Sequence, residues 1–553
     1  MKRSSHGPST VSHSVAAHSN GTHSAHESVE TEVLIVGYGP VGAALACLLG
    51  RYGVRTLVID KSVDILPIPR AIALDSDALR ILQFVGLDAQ AFETVEIPYV
   101  RLVSPFVGEF ARIDTSGTSD GHRRLVTFHQ PDLERALRAK AAEFESVRLR
   151  CPSELLELHE VEQGVRAVIR DGDGQTQTVR ARFAVGADGA ASLVRSAIGV
   201  SFPGRTYQEW LVVDGRNAPR PMDHVEFICD YRRPTPHMVA PGGRQRWEFM
   251  LQSHEGRAEM ESEQKVRELL APWTGAEELT IERKAVYRFH ARTCDSFQKG
   301  RIFLAGDAAH VTPPFVGQGL VAGLRDAANL SWKLAWVAKG LAPESILDSY
   351  DRERRPHAKQ MIDLARQMGF LVAPSGRLGS FCVHAGLRLI AALPLMRQLI
   401  ARANATKPIT RYKEGLFVRG RAPGLAQRGT WLPQGRLRSA DGQVRLSDTI
   451  LGTGLTCIGF GRAPEPYVGA DVTAQWRARG ATMVQIDGCG EDVPRLGGSA
   501  LEDLDHTFAR YVRAQWMVVA RPDGVLLHDG PLRSASRVLK EALALLDGWS
   551  PAP

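Results

Sequence analysis

The chain contains no CxxC pair, no run of five or more like charges and no long uninterrupted apolar stretch. Each absence removes a class of protein. Its seven cysteines (Cys47, Cys151, Cys229, Cys294, Cys382, Cys457 and Cys489) are odd in number and widely spaced, which argues against a disulfide framework and a zinc site and fits a reducing cytoplasm. No metal is expected. Lys and Arg exceed Asp and Glu by 68 to 61, a net charge of +7, but the basic residues are scattered among acids. A phosphate-tracking surface needs them contiguous, so no nucleic-acid partner is expected. The longest apolar stretch, Phe381 to Ile400, carries His384, Arg388, Pro394 and Arg397, which are costly in lipid. It reads as a soluble helix pair, with no membrane contact. Residues 1–30 hold eight Ser and five His and lack the hydrophobic centre of a signal peptide, so they read as a disordered tail.

What is present is a globular composition: 553 residues, 44% apolar and 23% charged, enough for about three domains. Order begins at Thr31. Val33-Leu34-Ile35-Val36 has the length and branching of a buried parallel strand, and Gly37-Tyr38-Gly39-Pro40-Val41-Gly42 then opens an Ala/Leu-rich helix over Ala43 to Tyr52. A second strand, Thr56 to Ile59, ends on Asp60, 18 residues after Gly42. In this setting Gly37 permits the tight bend, Gly39 lets backbone approach a pyrophosphate, and Gly42 lets helix and strand pack closely. The helix N-terminus offers free N–H groups to the anion, and Asp60 can accept from a ribose diol. The pattern predicts dinucleotide binding.

Two further segments place an Asp at the carboxyl end of a buried strand, where open α/β sheets present ligands. The first is Asp188-Gly189-Ala190-Ala191-Ser192-Leu193-Val194-Arg195. The second is Gly306-Asp307-Ala308-Ala309-His310 with Pro313-Pro314-Phe315-Val316-Gly317-Gln318-Gly319. Either Asp taken alone also reads as a helix N-cap.

With these three segments the sequence resembles the single-component flavin-dependent aromatic hydroxylases, the p-hydroxybenzoate hydroxylase fold group, over roughly 31–400. Within that group it is most similar to 3-(3-hydroxyphenyl)propionate hydroxylases. The residues that say so are Pro69-Arg70-Ala71-Ile72-Ala73-Leu74-Asp75, Phe128-His129-Gln130-Pro131-Asp132-Leu133, Arg246-Trp247-Glu248-Phe249-Met250, Phe289-His290-Ala291-Arg292 and the block from Gly306 to Leu334. The resemblance implies an α/β fold: a Rossmann-like FAD-binding domain, an inserted antiparallel-sheet substrate domain and a C-terminal thioredoxin-like domain. The corresponding parts are 31–205, 206–283, 284–403, a linker at 404–440 and 441–553. Cys457 and Cys489 are 32 apart, so thiol chemistry is not expected of the last unit. Strands near 454–459, 482–486 and 515–520 and helices near 470–479, 502–513 and 535–546 are expected there.

The resemblance also implies residue roles. Gly37, Gly39, Pro40, Val41, Gly42, Asp60 and Lys61 would hold the ADP half of FAD. Arg70 and Gln130 would contact its phosphate and ribityl region, and Asp307, beside Gly306, would bond the ribityl chain. Asp188 would sit behind the cofactor, in a motif also linked to nicotinamide binding. Pro314, Gly317, Gly319 and Leu320 would face the flavin pyrimidine edge, where negative charge accumulates on reduction. The implied reaction passes hydride from NADH or NADPH to FAD and one atom of O2 to the position ortho to a phenolic hydroxyl. A base or relay for the phenol proton is sought among Asp75, Tyr207, Tyr287, His290 and His310, with Asp75 and His290 named as catalytic candidates. Asp75 also reads as an N-cap of the helix from Ser76, and His290 as a core histidine. Arg244, Arg246 and Arg292 could fork a substrate carboxylate.

Three departures from the family pattern stand out: Tyr38 in the first turn, Asp60 in place of Glu, and the apolar run Leu320-Val321-Ala322-Gly323-Leu324 where a polar Met-Asn-Ser-Gly is usual. The last suggests a less polar or larger ring. Two alternatives stay open: a tailoring hydroxylase of a polyketide or antibiotic ring, and a non-catalytic binding protein on the same nucleotide fold. A cytoplasmic enzyme is expected, with a homodimer as its candidate assembly.

Overall fold

The computed structural model describes residues 29–67, 69–220, 222–273, 279–374, 376–393, 410–419, 424–489 and 500–549. The expected N-terminal tail up to residue 28, and 404–409 and 420–423 of the expected linker, lie outside the described residues; the first strand begins at Val29, two residues before the expected start of order at Thr31.

The branched run in strand Val29–Val36 is central and buried, as its composition requires. Thr56–Ile59 pairs parallel on one side of it and Thr176–Gly186 on the other; Val147–Arg150 extends the first side and Ile302–Leu304 the second. An antiparallel hairpin, Ser153–Val161 with Gly164–Asp171, and the short strand Gln298–Lys299 beside Ile302–Leu304 complete the eight-stranded sheet. Helix Pro40–Arg51 starts on a proline that needs no N–H there, and it packs against the long central helix Gln318–Ala338. That approach is tight, since a Cβ on Gly323 would lie 2.5 Å from the Val41 side chain.

A second eight-stranded sheet stands beside the first. Its order is His310–Val311, Thr280–Thr293, Gly204–Arg216, Arg244–Met250, Thr235–Ala240, Val225–Ile228, Tyr99–Ser104 and Gly108–Asp114. This is the expected inserted sheet with wider boundaries. Strands between 99 and 114 belong to it rather than to the dinucleotide domain, because local alternation shows that a strand exists and not which partner it finds. Alternation divides its residues cleanly. Leu211, Val213, Trp247 and Phe249 bury one face against helix Glu263–Leu270, while Trp210, Met250 and Phe289 pack on the other with Phe315 from the third motif.

The C-terminal unit is a seven-stranded sheet. Thr456–Phe460, Thr482–Gly488 and Leu501–Asp503 run parallel, and Trp516–Ala520 and Leu526–Pro531 follow antiparallel. The helix expected over 502–513 is shorter. Leu501–Asp503 is a strand, His506 takes a left-handed φ of 54°, and the helix is Ala509–Arg513. Asp503 accepts from the N–H groups of Thr507 (3.2 Å) and Phe508 (2.7 Å), which ties the intervening turn.

Part of the expected linker is docked rather than free: Tyr412, Leu416 and Phe417 are buried. Two buried ionic clusters fasten the C-terminal unit to the rest. Glu353, from helix Ser349–Val372, accepts from Arg521 (2.6 Å), Lys333 (2.9 Å), Asn329 (2.6 Å) and the N–H of Leu416 (2.7 Å). Burial opposes its charge, yet Arg521 and Lys333 hold its carboxyl below the usual range. Arg80 forks onto Asp448 and donates to the Leu432 carbonyl at 2.8 Å.

Candidate functional site

Gly37 has φ +104°, and a Cβ there would lie 2.4 Å from the Ala187 carbonyl oxygen; a Cβ on Gly42 would lie 2.0 Å from that of Gly37. Only glycine fits either position. Gly39 is different, for a Cβ there would meet nothing within 4 Å. It N-caps helix Pro40–Arg51 with no side-chain cap and no acid in the first turn, so the helix amides and positive dipole end are open. Asp60 accepts from the N–H groups of Tyr38 and Ser62, both at 2.7 Å, and so fixes the turn beside which it stands. Tyr38 is accommodated because its ring turns into the core beneath Arg138, whose guanidinium lies 4.6 Å from the ring centre and donates to the Tyr38 carbonyl. Lys61 is exposed at the turn's edge.

The other two motifs meet this one. Ala187 packs on Gly37, and Val41 packs on Gly306. Arg195 donates to the Ala308 carbonyl at 2.9 Å and so clamps the second motif to the third. Asp188 is engaged locally: it accepts from the Ser192 hydroxyl (2.6 Å) and the N–H groups of Leu193 (2.7 Å) and Val194 (3.2 Å), capping the short helix Leu193–Ala197. Burial raises its pKa despite those bonds. Asp307 stays open. Its side chain is 40% exposed, 4.0 Å from the Arg70 guanidinium, and burial among surrounding protein raises its pKa against the pull of Arg70. An acid enclosed yet open on one side lines a cleft.

Arg70 and Ala71 donate their N–H groups to the Gln130 side-chain oxygen, both at 2.8 Å, which leaves the Gln130 amide NH2 for a ligand. The same loop is held from the second sheet, where Arg246 donates to the Pro69 (3.0 Å) and Arg70 (3.1 Å) carbonyls and Arg283 to that of Pro69 (2.6 Å). Both arginines also pair with Asp214. Arg246 is therefore committed to positioning the loop and is no substrate fork. Arg244 pairs with Glu282 at 2.7 Å, and Arg292 donates to Thr206 at 3.1 Å.

Pro314–Val316 forms a short 3-10 turn, and Gly317, at φ +62°, swings the chain into helix Gln318–Ala338. That N-terminus also lacks a side-chain cap and a first-turn acid, and a Cβ on Gly319 would meet nothing within 4 Å. Leu320 packs at the edge of the main core. Val321, Ala322 and Leu324, expected close to the flavin, are fully buried, Val321 and Leu324 inside that core, so the apolar run serves helix packing.

The catalytic candidates are dispersed. Asp75 caps helix Ser76–Val85 by accepting from Ala78 N–H at 2.9 Å, and it also accepts from Arg325 (3.0 Å) and Gln318 (3.1 Å). It fixes the first turn of the central helix. His290 bonds Thr206 at 3.0 Å and follows Phe289 in the strand; alternation puts it on the face opposite the aromatic wall. Burial, with Arg292 and Arg288, lowers its pKa. Tyr207 is half-buried, and Tyr287 is bonded by Arg283. His310 is buried against Asp326 at 2.6 Å, and Asp326 in turn accepts from Gly306 N–H and Arg354. The sequence reading gave Glu248 no role. It lies between Arg246 and Met250 on the wall face, 6% exposed, and burial, opposed by Arg246, raises its pKa to about 7. The signal was available: Arg246 and Glu248 alternate with Trp247 and Phe249, placing charge on one face of a strand that is buried on both.

Two uncapped helix N-termini, two glycines whose missing side chains leave empty space, and the open pair Asp307 and Arg70 fit an elongated anionic dinucleotide such as FAD. Residues 30–365 match the family model described as FAD binding domain, and 429–545 match the HcaD C-terminal domain. The chain is 36% identical over 507 residues to a 3-(3-hydroxy-phenyl)propionate/3-hydroxycinnamic acid hydroxylase of Burkholderia cenocepacia, covering 89% of this chain and 92% of the relative. It is 34% identical to one of the same name from Klebsiella pneumoniae, covering 82% of each. Among solved structures it resembles the flavin-dependent monooxygenase PieE in complex with FAD and substrate, with a TM-score of 0.77 and 23% identity over 94% of this chain and 99% of that one. Aklavinone-11 hydroxylase with FAD and aklavinone gives a TM-score of 0.73 and 21% identity over 94% and 99%.

Proposed function

The chain belongs to the FAD binding domain family and is an FAD-dependent aromatic monooxygenase, and from that premise we propose that it hydroxylates a phenol bearing a short carboxylate chain, of the 3-(3-hydroxyphenyl)propionate or 3-hydroxycinnamate type, ortho to its hydroxyl. The observation that carries the proposal is the junction of the open dinucleotide cleft with a single aromatic wall, where Phe315 of the third motif packs 5.7 Å from Trp210 of the second sheet. The names of the Burkholderia and Klebsiella relatives support the substrate class.

When bound, FAD supplies the redox chemistry, accepting hydride from a nicotinamide and delivering one atom of O2 to the ring. The chain's own residues bind and orient. The free N–H groups at Gly39 and in the first helical turn after Pro40 would take the pyrophosphate, Asp60 the ribose, and Asp307 with Arg70 and Gln130 the ribityl region. The open N-terminus of Gln318–Ala338, held by Asp75 and Arg325 through Gln318, would supply positive potential to the flavin pyrimidine edge. Trp210, Phe289, Phe315 and Met250 exclude water from the reacting ring.

NADH or NADPH is the proposed reductant and approaches transiently; Gly452-Thr453-Gly454 offers no second dinucleotide turn, because Gly452 ends the short helix Ser447–Leu451. A cytoplasmic homodimer completes the proposal, with a C-terminal unit of thioredoxin-like topology acting as a structural element. In that unit Cys457 is buried, and burial pushes its thiol far above the usual range. No helix among the described residues is long and apolar enough to cross a membrane.

The test follows NAD(P)H oxidation, O2 uptake and product with a panel of phenols that includes 3-(3-hydroxyphenyl)propionate. A catechol formed in step with NAD(P)H supports the proposal. Stimulated oxidation without hydroxylated product refutes it.

A further inference from the structure

Glu248 lies in strand Arg244–Met250, directly opposite Val212 in the neighbouring strand. Its strand neighbours on the same face have opposite characters. Arg246 holds the Pro69–Arg70 loop of the cofactor cleft, and Met250 belongs to the apolar wall with Trp210, Phe289 and Phe315. Glu248 thus occupies the seam between cofactor loop and substrate wall. It is 6% exposed, and among the described residues no hydrogen bond or ion pair engages its carboxyl. A carboxyl enclosed by protein yet engaged by no protein group, and not sealed from access, is met by solvent or by a ligand.

The charged and titratable groups around it are already committed. On its own strand Arg246 pairs with Asp214, on the adjacent strand Asp214 takes both Arg246 and Arg283, and on Thr280–Thr293 Arg283 bonds Tyr287. The facing strand Thr235–Ala240 contributes Met238 to this face. Apart from the Arg283 Nε, a donor left without a partner, those groups engage one another, and Glu248 is the carboxyl among them that no hydrogen bond or ion pair engages.

We propose that Glu248 is the base that takes the phenolic proton of the substrate. This rests on the function proposed above. The phenol O–H breaks, its electron pair stays on oxygen as phenolate, and a carboxyl O–H forms on Glu248. The ring carbon ortho to that oxygen is thereby made nucleophilic toward the oxygen atom derived from O2. When Glu248 later releases the proton, it ends in the water that carries the second oxygen atom, and NAD(P)H supplies the two electrons. Burial raises the pKa of Glu248 to about 7, which suits a base working near neutrality. Asp75 and His290 do not offer this combination, since the first is spent on Arg325, Gln318 and a helix cap and the second lies on the opposite sheet face.

The experiment compares wild-type, Glu248→Gln and Glu248→Asp holoenzymes with 3-(3-hydroxyphenyl)propionate as probe. Three quantities are read: the pH dependence of hydroxylation, the catechol formed per NAD(P)H oxidised, and the phenolate absorbance of the probe bound to oxidised enzyme, which needs no turnover. In Glu248→Gln we expect hydroxylation at pH 7 to fall about 10²-fold, and recovery only as pH nears the phenol's own pKa of about 10. Catechol per NAD(P)H should fall severalfold, and the bound phenolate band should move to higher pH. The aspartate variant should restore part of the near-neutral limb. A Gln variant that keeps bound flavin and shows the wild-type pH profile and phenolate band overturns the assignment. So does a wild-type profile without an ionisation near neutrality, which decides the matter even if the Gln variant fails to fold. Wild-type enzyme that hydroxylates no phenol in the panel overturns the proposed function and this role with it, whereas active wild type with an indistinguishable Gln variant removes the role alone.

Discussion

Replacing Gly319 with Ala separates what the fold needs from what the cofactor needs. Gly319 lies in the first turn of helix Gln318–Ala338 at an ordinary helical φ, and a Cβ there meets nothing within 4 Å. In apo-protein the change should therefore stabilise. Glycine to alanine in a helix gains ~0.4–1 kcal/mol, mostly by restricting the unfolded chain, which is about 1–4 °C in Tm for a unit of 150–250 residues. Holo-protein should respond with the opposite sign. A methyl group forced into a filled contact costs ~1–3 kcal/mol, so the Kd for FAD should weaken about tenfold to a hundredfold. Gly37→Ala is the control. With φ +104° and a Cβ 2.4 Å from the Ala187 oxygen, it should destabilise apo-protein by ~2 kcal/mol or more. The assays are fluorescence titration of apo-protein with FAD and thermal unfolding of the same sample without it. An FAD affinity for Gly319→Ala within twofold of wild type would refute the placement of the flavin against this helix N-terminus, and a lowered apo Tm would refute the claim that the space is empty of protein.

Other outcomes follow from the same structure. A carboxylate at that position, Gly319→Asp, should abolish flavin reduction by NAD(P)H, since it sets negative charge where the reduced flavin accumulates it; unchanged reduction kinetics in stopped flow would contradict this. Arg521→Met should cost ~3–5 kcal/mol by leaving Glu353 with one cation fewer in a fully buried site, read as a loss in urea unfolding and earlier proteolysis between the C-terminal unit and the rest. Glu248 has a folded pKa raised to about 7 against ~4.3 unfolded. The folded state therefore binds more protons between those values, and stability falls as pH rises through that window. Glu248→Gln should remove the slope, matching wild type near pH 4 and exceeding it by ~3–4 kcal/mol above pH 7 in urea titrations; parallel stability curves would contradict the shift. Asp307→Ala should weaken FAD binding about tenfold or more, through loss of hydrogen bonds to an anchored ligand, with little change in apo Tm.

Much of the site was legible in the chain because the features that bind a dinucleotide are local. A branched apolar run, a glycine turn and a helix that begins on proline lie within about twenty residues, and each follows from backbone sterics and from unsatisfied amides at a helix start. The second and third motifs read equally well as glycine turns after buried strands. The short C-terminal helix did not, because a left-handed His506 and the bonds of Asp503 outweigh the helical pattern of 502–513. The extent of the second sheet did not either, since Tyr99–Ser104 pairs with Val225–Ile228, more than a hundred positions away, and brings its hairpin partner Gly108–Asp114 with it.

What the sequence by itself determined is the presence of a nucleotide cleft, the glycines that admit it and the family to which the chain belongs. Only the tertiary structure decided what each charged group does. Asp188 became a helix cap, Asp75 a brace for Gln318 and Arg325, and Arg246 a clamp on the Pro69 and Arg70 carbonyls, while Glu248 was left buried and unengaged on the substrate wall. The reason is range. Backbone conformation is set by neighbours in the chain, whereas the charge state and availability of a side chain depend on desolvation and partners, and here those partners arrive from strands and helices up to several hundred residues apart.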